Sequence, residues 1–144
     1  MTWMLTGGAG YIGAHVTRAL LESGRPVVVL DDLSTGLARK VPEGVPFEQV
    51  DVCDRAAVAD VLRRHEVTGV VHLAAKKAVG ESVERPHFYY RQNVEGAMAL
   101  TEAMVEVGVR RLVYSSSASV YGPTDDPLIT EDYATLPISP YGQT

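Results

Sequence analysis

Five short apolar runs alternate along the chain with stretches in which apolar residues recur every three or four positions. The runs are Met4-Leu5, Pro26 to Leu30, Phe47 to Val50, Val70 to Leu73 and Arg111 to Tyr114. The second contains Val27, Val28 and Val29 in a row, and an apolar run without alternation is what a parallel strand buried on both faces requires. The recurring positions predict three helices. The first packs through Ile12, Val16, Ala19 and Leu20. The second is capped by Asp54 and turns Ala57, Val58, Val61 and Leu62 inward. The third runs from about His87 to Val107 and packs through Val94, Ala97, Met98, Thr101, Met104 and Val105, its two methionines belonging to a core or a subunit interface. Leu33 to Pro46 reads as a connection broken by Gly36, Pro42, Gly44 and Pro46. Lys76 to Val83 is too polar for a strand and too irregular for a helix, and Pro123 to Pro140 is a proline-rich loop. Strands alternating with helices predict an α/β fold, a doubly wound parallel sheet of order 3-2-1-4-5.

Composition narrows this picture without changing it. A chain of 144 residues, 46% apolar and 22% charged, has the make-up of one globular unit with a core of its own. A net charge of −5 argues against nucleic acid or an anionic membrane as the main partner. Cys53 is the only cysteine, so no internal disulfide can form, which suits a reducing compartment. No apolar stretch is long enough to span a bilayer, and the amino terminus enters a strand by Trp3 instead of forming a leader. A cytoplasmic protein is expected.

The chemistry begins at Gly7-Gly8-Ala9-Gly10-Tyr11-Ile12-Gly13, between the first strand and the first helix. Two dinucleotide spacings fit at once, Gly8-x-Gly10-x-x-Gly13 and Gly7-x-x-Gly10-x-x-Gly13. Glycines there let the backbone approach a pyrophosphate, whose charge meets the free N–H groups of the helix start. Asp31 ends the second strand, 18 residues beyond Gly13, near the place of a ribose-binding acid. A carboxylate there accepts from the ribose hydroxyls and repels a 2′-phosphate, so NAD is expected in preference to NADP. The small pair Ala74-Ala75 ends the fourth strand, where a cofactor would approach closely. His72 lies within that strand and reads as a core residue. The lysines at 76 and 77, without further context, read as solvated. Ser115 to Gly122 follows the fifth strand at the carboxyl edge, where open parallel sheets carry their sites. No metal-binding residues are assigned.

These segments together resemble the extended short-chain dehydrogenase/reductase family, and within it the epimerases of UDP-hexoses. The carrying residues are Thr6 to Gly13, Asp31-Asp32-Leu33-Ser34, His72 to Ser82, Tyr90-Arg91-Gln92-Asn93, Ser115 to Gly122 and Ser139-Pro140-Tyr141-Gly142. The segment Lys77-Ala78-Val79-Gly80-Glu81-Ser82 is the most specific of them. The resemblance implies a Rossmann-like domain over residues 1–144, truncated before the last strands and before a carboxyl-terminal sugar-nucleotide domain. It implies NAD held by Gly7, Gly10, Tyr11, Ile12 and Gly13 at the pyrophosphate, and by Asp31, Asp32, Leu33 and Ser34 at the adenosine ribose. Asp51 and Val52 would flank the adenine, Leu73, Ala74, Ala75, Lys77 and Ser115 would line the cofactor, and Asn93 would hold the loop nearby.

Ser117 and Tyr141 would be the catalytic pair at the sugar C4. The implied reaction interconverts UDP-galactose and UDP-glucose through C4 oxidation to a 4-keto sugar and re-reduction from its other face. A tyrosine, ordinarily of pKa roughly 10, needs nearby positive charge to act as a base at neutral pH. The family supplies it from Tyr-x-x-x-Lys, whose lysine would fall at position 145. The chain itself is therefore expected to bind NAD without useful turnover, its last residues frayed, and the full-length protein to be a homodimer using a UDP-sugar. Ala118-Ser119 stand where a dehydratase of the family would carry Asp-Glu. An epimerase of another nucleotide sugar and a non-catalytic NAD-binding module are the alternatives.

Overall fold

The computed structural model describes residues Met1–Thr144. Five strands, β1 (Thr2–Thr6), β2 (Val27–Leu30), β3 (Phe47–Glu48), β4 (Val67–His72) and β5 (Leu112–Tyr114), form one sheet of order β3-β2-β1-β4-β5. Every pairing is parallel. The order is the one the alternation of patterns predicts. The register also aligns the strand ends: Thr6 pairs with Leu30 on one side and His72 on the other, and His72 with Tyr114. The loops that follow these strands therefore leave the sheet along one edge.

Two helices, α1 (Tyr11–Glu22) and α2 (Arg55–Arg64), follow β1 and β3. After β4 come α3 (Val79–Glu84), α4 (Pro86–Tyr89), a π-helical turn over Tyr90–Glu95 and α5 (Gly96–Val107). A short α6 (Pro140–Gln143) ends the chain. Asp54 caps α2 as its sequence suggests, accepting from the Ala57 N–H at 3.0 Å. The larger core lies where α2 and α5 cover the sheet, with Met4, Val28, Leu30, Val58, Leu62, Val70 and Leu100 all buried. Across the sheet, α1 covers a smaller cluster of Leu5, Val27, Val29 and Val71. No helix is long and apolar enough to cross a membrane.

Three local expectations are corrected. Helix α1 packs through Gly13, Ala14 and Thr17. Val16 and Leu20 are half-buried and pack against the smaller cluster as expected, while Ile12 and Ala19 face outward. The glycine loop sets that rotation, because the helix must bring Gly13 against Gly7, where only small residues fit. The long helix is interrupted by the π-turn, whose wider winding rotates everything after it relative to a count begun at His87. Met104 is buried as expected, but Gly96, Leu100 and Ala103 join it in facing the core, whereas Met98 and Val105 are 56% and 80% exposed and Thr101 is exposed too. Finally, part of the 76–83 segment is helical, since α3 is closed by polar contacts that leave no apolar period. Ser82 Oγ donates to the Val79 carbonyl at 2.6 Å, and Arg85 pairs with Glu81 at 3.0 Å.

Candidate functional site

The carboxyl edge of the sheet opens into a groove of about 500 Å³. Its floor is the loop between β1 and α1. Gly7 has φ +72, and a Cβ on it would lie 2.8 Å from the Ala74 nitrogen. A Cβ on Gly13 would lie 2.2 Å from the Gly7 carbonyl oxygen, backbone against backbone. Helix α1 starts at Gly10 with no side-chain cap and no acidic residue in its first turn. Its opening N–H groups are thus left to whatever occupies the groove. Tyr11 and Ile12, 72% and 60% exposed, stand over them.

Asp31 closes one end. It is buried, its Oδ2 accepting from the Ala9 N–H at 3.0 Å and its Oδ1 from the Leu33 N–H at 2.8 Å. The carboxylate therefore pins the loop after β2 onto the glycine loop while still lining the groove, and a carboxylate has further lone pairs for ribose hydroxyls. Asp32 accepts from the Ser34 N–H at 2.8 Å and the Ser34 hydroxyl at 2.6 Å. Burial raises its pKa, but those hydrogen bonds and the Lys76 ammonium outweigh burial and hold it below the ordinary carboxylate value. Asp51 and Val52 line the neighbouring wall, Val52 reaching into the larger core.

The loop after β4 forms the opposite wall with Leu73, Ala74, Ala75 and Lys77. His72 lies behind it, buried as its place in the strand predicts, with Nδ1 2.6 Å from Thr6 Oγ1. Burial pushes its pKa down to about 4, so it is neutral near pH 7 and packs instead of titrating there. Asn93, in the π-turn, is buried and grips the loop from below. Its Oδ1 accepts from the Lys76 N–H at 2.8 Å, and its Nδ2 donates to the Lys76 carbonyl at 3.0 Å.

The far end is built from the residues after β5. Ser115, Ser116 and Ser117 line it together with Tyr141. Ser117 Oγ accepts from the Ser119 N–H at 3.2 Å, starting a 3₁₀ turn over Ala118–Val120. Helix α6 rests on that turn, and a Cβ on Gly142 would lie 2.7 Å from the Ser119 carbonyl oxygen. The last residues have partners, contrary to the expected fraying: Asn93 Nδ2 donates to Thr144 Oγ1 at 2.9 Å and the Tyr90 hydroxyl to Gln143 Oε1 at 2.8 Å. The buried ring of Tyr89 meets the Tyr141 ring edge to face, 6.4 Å between centroids.

Of the residues expected to hold the cofactor or act at the sugar, Leu33 and Asn93 are not among those lining the groove; Leu33 supports it through its N–H and Asn93 through its side-chain amide. The others so assigned all line it. Several lining residues escape the sequence reading, notably Thr35, Lys40, Lys76 and Gln92. Lys40 sits in a 3₁₀ turn inside what reads only as a connection. Lys76 is not solvated like an ordinary surface lysine, for its side chain is only 16% exposed.

This donor set fits a dinucleotide. The groove lies within the range of roughly 300–1,000 Å³ usual for small-molecule sites. It has glycines where side chains would collide, uncapped helix N–H groups for a pyrophosphate, and a buried acid at one end.

The family model described as NAD dependent epimerase/dehydratase family matches residues 3–144. The chain is 46% identical over 151 aligned residues to the UDP-glucose 4-epimerase of Bacillus subtilis, covering all of this chain and 44% of that protein. It superimposes on the crystal structure of the Thermus thermophilus UDP-glucose 4-epimerase in complex with NAD with a TM-score of 0.95 and 39% identity, covering 99% of this chain and 47% of that one. The crystal structure of the Thermotoga maritima UDP-glucose 4-epimerase with UDP-glucose gives a TM-score of 0.92 and 34% identity, covering 99% and 47%. The chain thus spans less than half the length of the relatives it matches.

Proposed function

The chain belongs to the NAD dependent epimerase/dehydratase family, and on that premise we propose that it is the NAD-binding part of a UDP-hexose 4-epimerase. The observation that carries this reading is a single groove with a glycine cradle and buried acid at one end, Ser117 and Tyr141 at the other. NAD bound there would accept a hydride from the sugar C4 and later return it. Gly7, Gly10 and Gly13 leave room for the pyrophosphate, which the α1 N–H groups meet. Asp31 accepts from the adenosine ribose and repels a 2′-phosphate. Ser117 hydrogen-bonds the C4 oxygen, and Tyr141 takes and returns its proton.

A relative crystallised with UDP-glucose supports a UDP-sugar as the substrate. Because the chain spans less than half of those relatives, we assign cofactor binding to the 144 residues and turnover to a longer polypeptide. In that polypeptide the outward face bearing Met98 and Val105 joins two subunits, and the one cysteine of these 144 residues, Cys53, is free, which suits a reducing compartment. Calorimetric titration tests the first assignment: the chain binds NAD and discriminates against NADP. Equal affinity for the two would overturn the role of Asp31. For the second, epimerisation of UDP-galactose by the longer protein disappears in Tyr141→Phe, and sedimentation finds a dimer.

A further inference from the structure

We propose that Lys76 is a gate over the dinucleotide groove, tying the loop after β4 to the loop after β2 and releasing it when the cofactor enters or leaves. The inference rests on the reading of the groove as the NAD site. Topology carries its first half. With order β3-β2-β1-β4-β5 and all strands parallel, the glycine loop after β1 lies between the loops after β2 and β4. A contact between those two outer loops must cross the bed on which the pyrophosphate would lie.

Lys76 makes that crossing. Its Nζ donates to Ser34 Oγ at 2.5 Å and lies 3.7 Å from Asp32 Oδ2. Both ends of the bridge are anchored. The Lys76 backbone is held on its N–H and its carbonyl by Asn93, so only the side chain is free to swing. On the other side, Leu33 has φ +59, a left-handed conformation uncommon for a leucine. It is kept there by Asp31 accepting from its N–H and Asp32 from the next. An ammonium held between a hydroxyl and a carboxylate, on a side chain only 16% exposed, makes a charge-assisted contact that a neutral side chain cannot replace.

A gate and an ordinary cofactor ligand differ in kinetics. A ligand slows release and leaves entry alone. A gate made of contacts within the protein opposes both, since the same bond must open in either direction, and it leaves affinity nearly unchanged. The test is stopped-flow mixing of the 144-residue chain with NADH, read by its fluorescence, for the parent, Lys76→Met and Lys76→Gln. Lys76→Met is expected to raise association and dissociation rates alike, each by about tenfold, which corresponds to about 1.4 kcal/mol of lost contact. The dissociation constant stays within about twofold by the same arithmetic. Lys76→Gln, polar but uncharged, moves both rates in the same direction by less, and serves alone if Lys76→Met does not fold. Added salt, which screens the ion pair, speeds both rates in the parent more than in Lys76→Met.

A second readout needs no cofactor. The Asp32 carboxyl, followed by NMR titration of the free chain, should move up toward the ordinary carboxylate range in Lys76→Met. Faster release with unchanged entry makes Lys76 a cofactor ligand and overturns the gate. Unchanged rates, or an Asp32 titration indifferent to Lys76, do the same. A parent chain that binds no NADH removes the NAD reading together with the gate, whereas normal binding with Lys76-independent rates removes the gate alone.

Discussion

The two ends of the groove are built differently. At the glycine-loop end, the glycine loop and the loop after β2 are joined by hydrogen bonds to a buried carboxylate, and β2 beneath is buried along all four residues. At the tyrosine end, β5 is exposed along all three residues, and the segment between Ser117 and Tyr141 is mostly exposed. Tyr141 is held there by contacts from elsewhere: the 3₁₀ turn under Gly142, and Tyr89, Tyr90 and Asn93 from the chain around the π-turn. One end is stiffened by its own loops, the other by docking. Substitutions at the first should therefore cost fold and cofactor together. At the second they should cost local order with little loss of global stability.

The strongest test of the contrast is Gly13→Ala. Its methyl group would meet the Gly7 carbonyl and, at 2.6 Å, the Gly8 Cα, and neither backbone atom can move without opening the loop. Urea unfolding should show a loss of about 1–3 kcal/mol or more, and calorimetry no measurable NAD binding. A variant that keeps full affinity would mean that the cradle is softer than its geometry. Acid should come next. The His72 pKa is depressed to about 4 in the folded chain, against an ordinary value of 6.5. Between those values the unfolded chain binds the proton and the folded chain does not, so the stability is whole above pH 6.5 and falls as pH drops toward 4. The loss approaches about 3 kcal/mol at most. Unfolding curves at pH 7 and pH 4.5 measure it, and a flat profile would show that the sheet centre opens to water.

Asp31→Ala should weaken NAD binding by about 1–3 kcal/mol, the effect of losing a charged hydrogen-bond acceptor. It should also loosen the loop after β2, because the Ala9 and Leu33 N–H groups lose their partner. Calorimetry and amide exchange at Ala9 and Leu33 read the two effects separately. The smallest global effect is expected from Gly142→Ala. The new methyl group would press on Ser119 and Pro137 and lift α6, costing about 1 kcal/mol or less in global stability. Faster exchange of the Gly142 and Gln143 amides, with Gly13 unaffected, would sharpen the comparison. A global loss as large as that of Gly13→Ala would break it.

The glycine-loop end is legible from the sequence because its determinants are local. Gly7, Gly10 and Gly13 act within a single loop-and-helix start. Asp31 is placed by the strand that it ends, and the order of the strands follows from the alternation of apolar patterns. Burial of His72 is legible for the same reason, since its strand is paired on both sides, with β1 and with β5. Tertiary structure decided what depends on phase and distance. The rotation of α1 was set by Gly13 seeking Gly7, and the exposed face of α5 by a π-turn that no apolar period announces. The docking of Tyr141 depends on side chains roughly fifty positions away in the chain, and the burial of Lys76 on a partner at Ser34 across the groove. Local patterns encode which face of an element is apolar. They do not encode the angle at which two elements meet, which follows from close packing between residues distant in the chain.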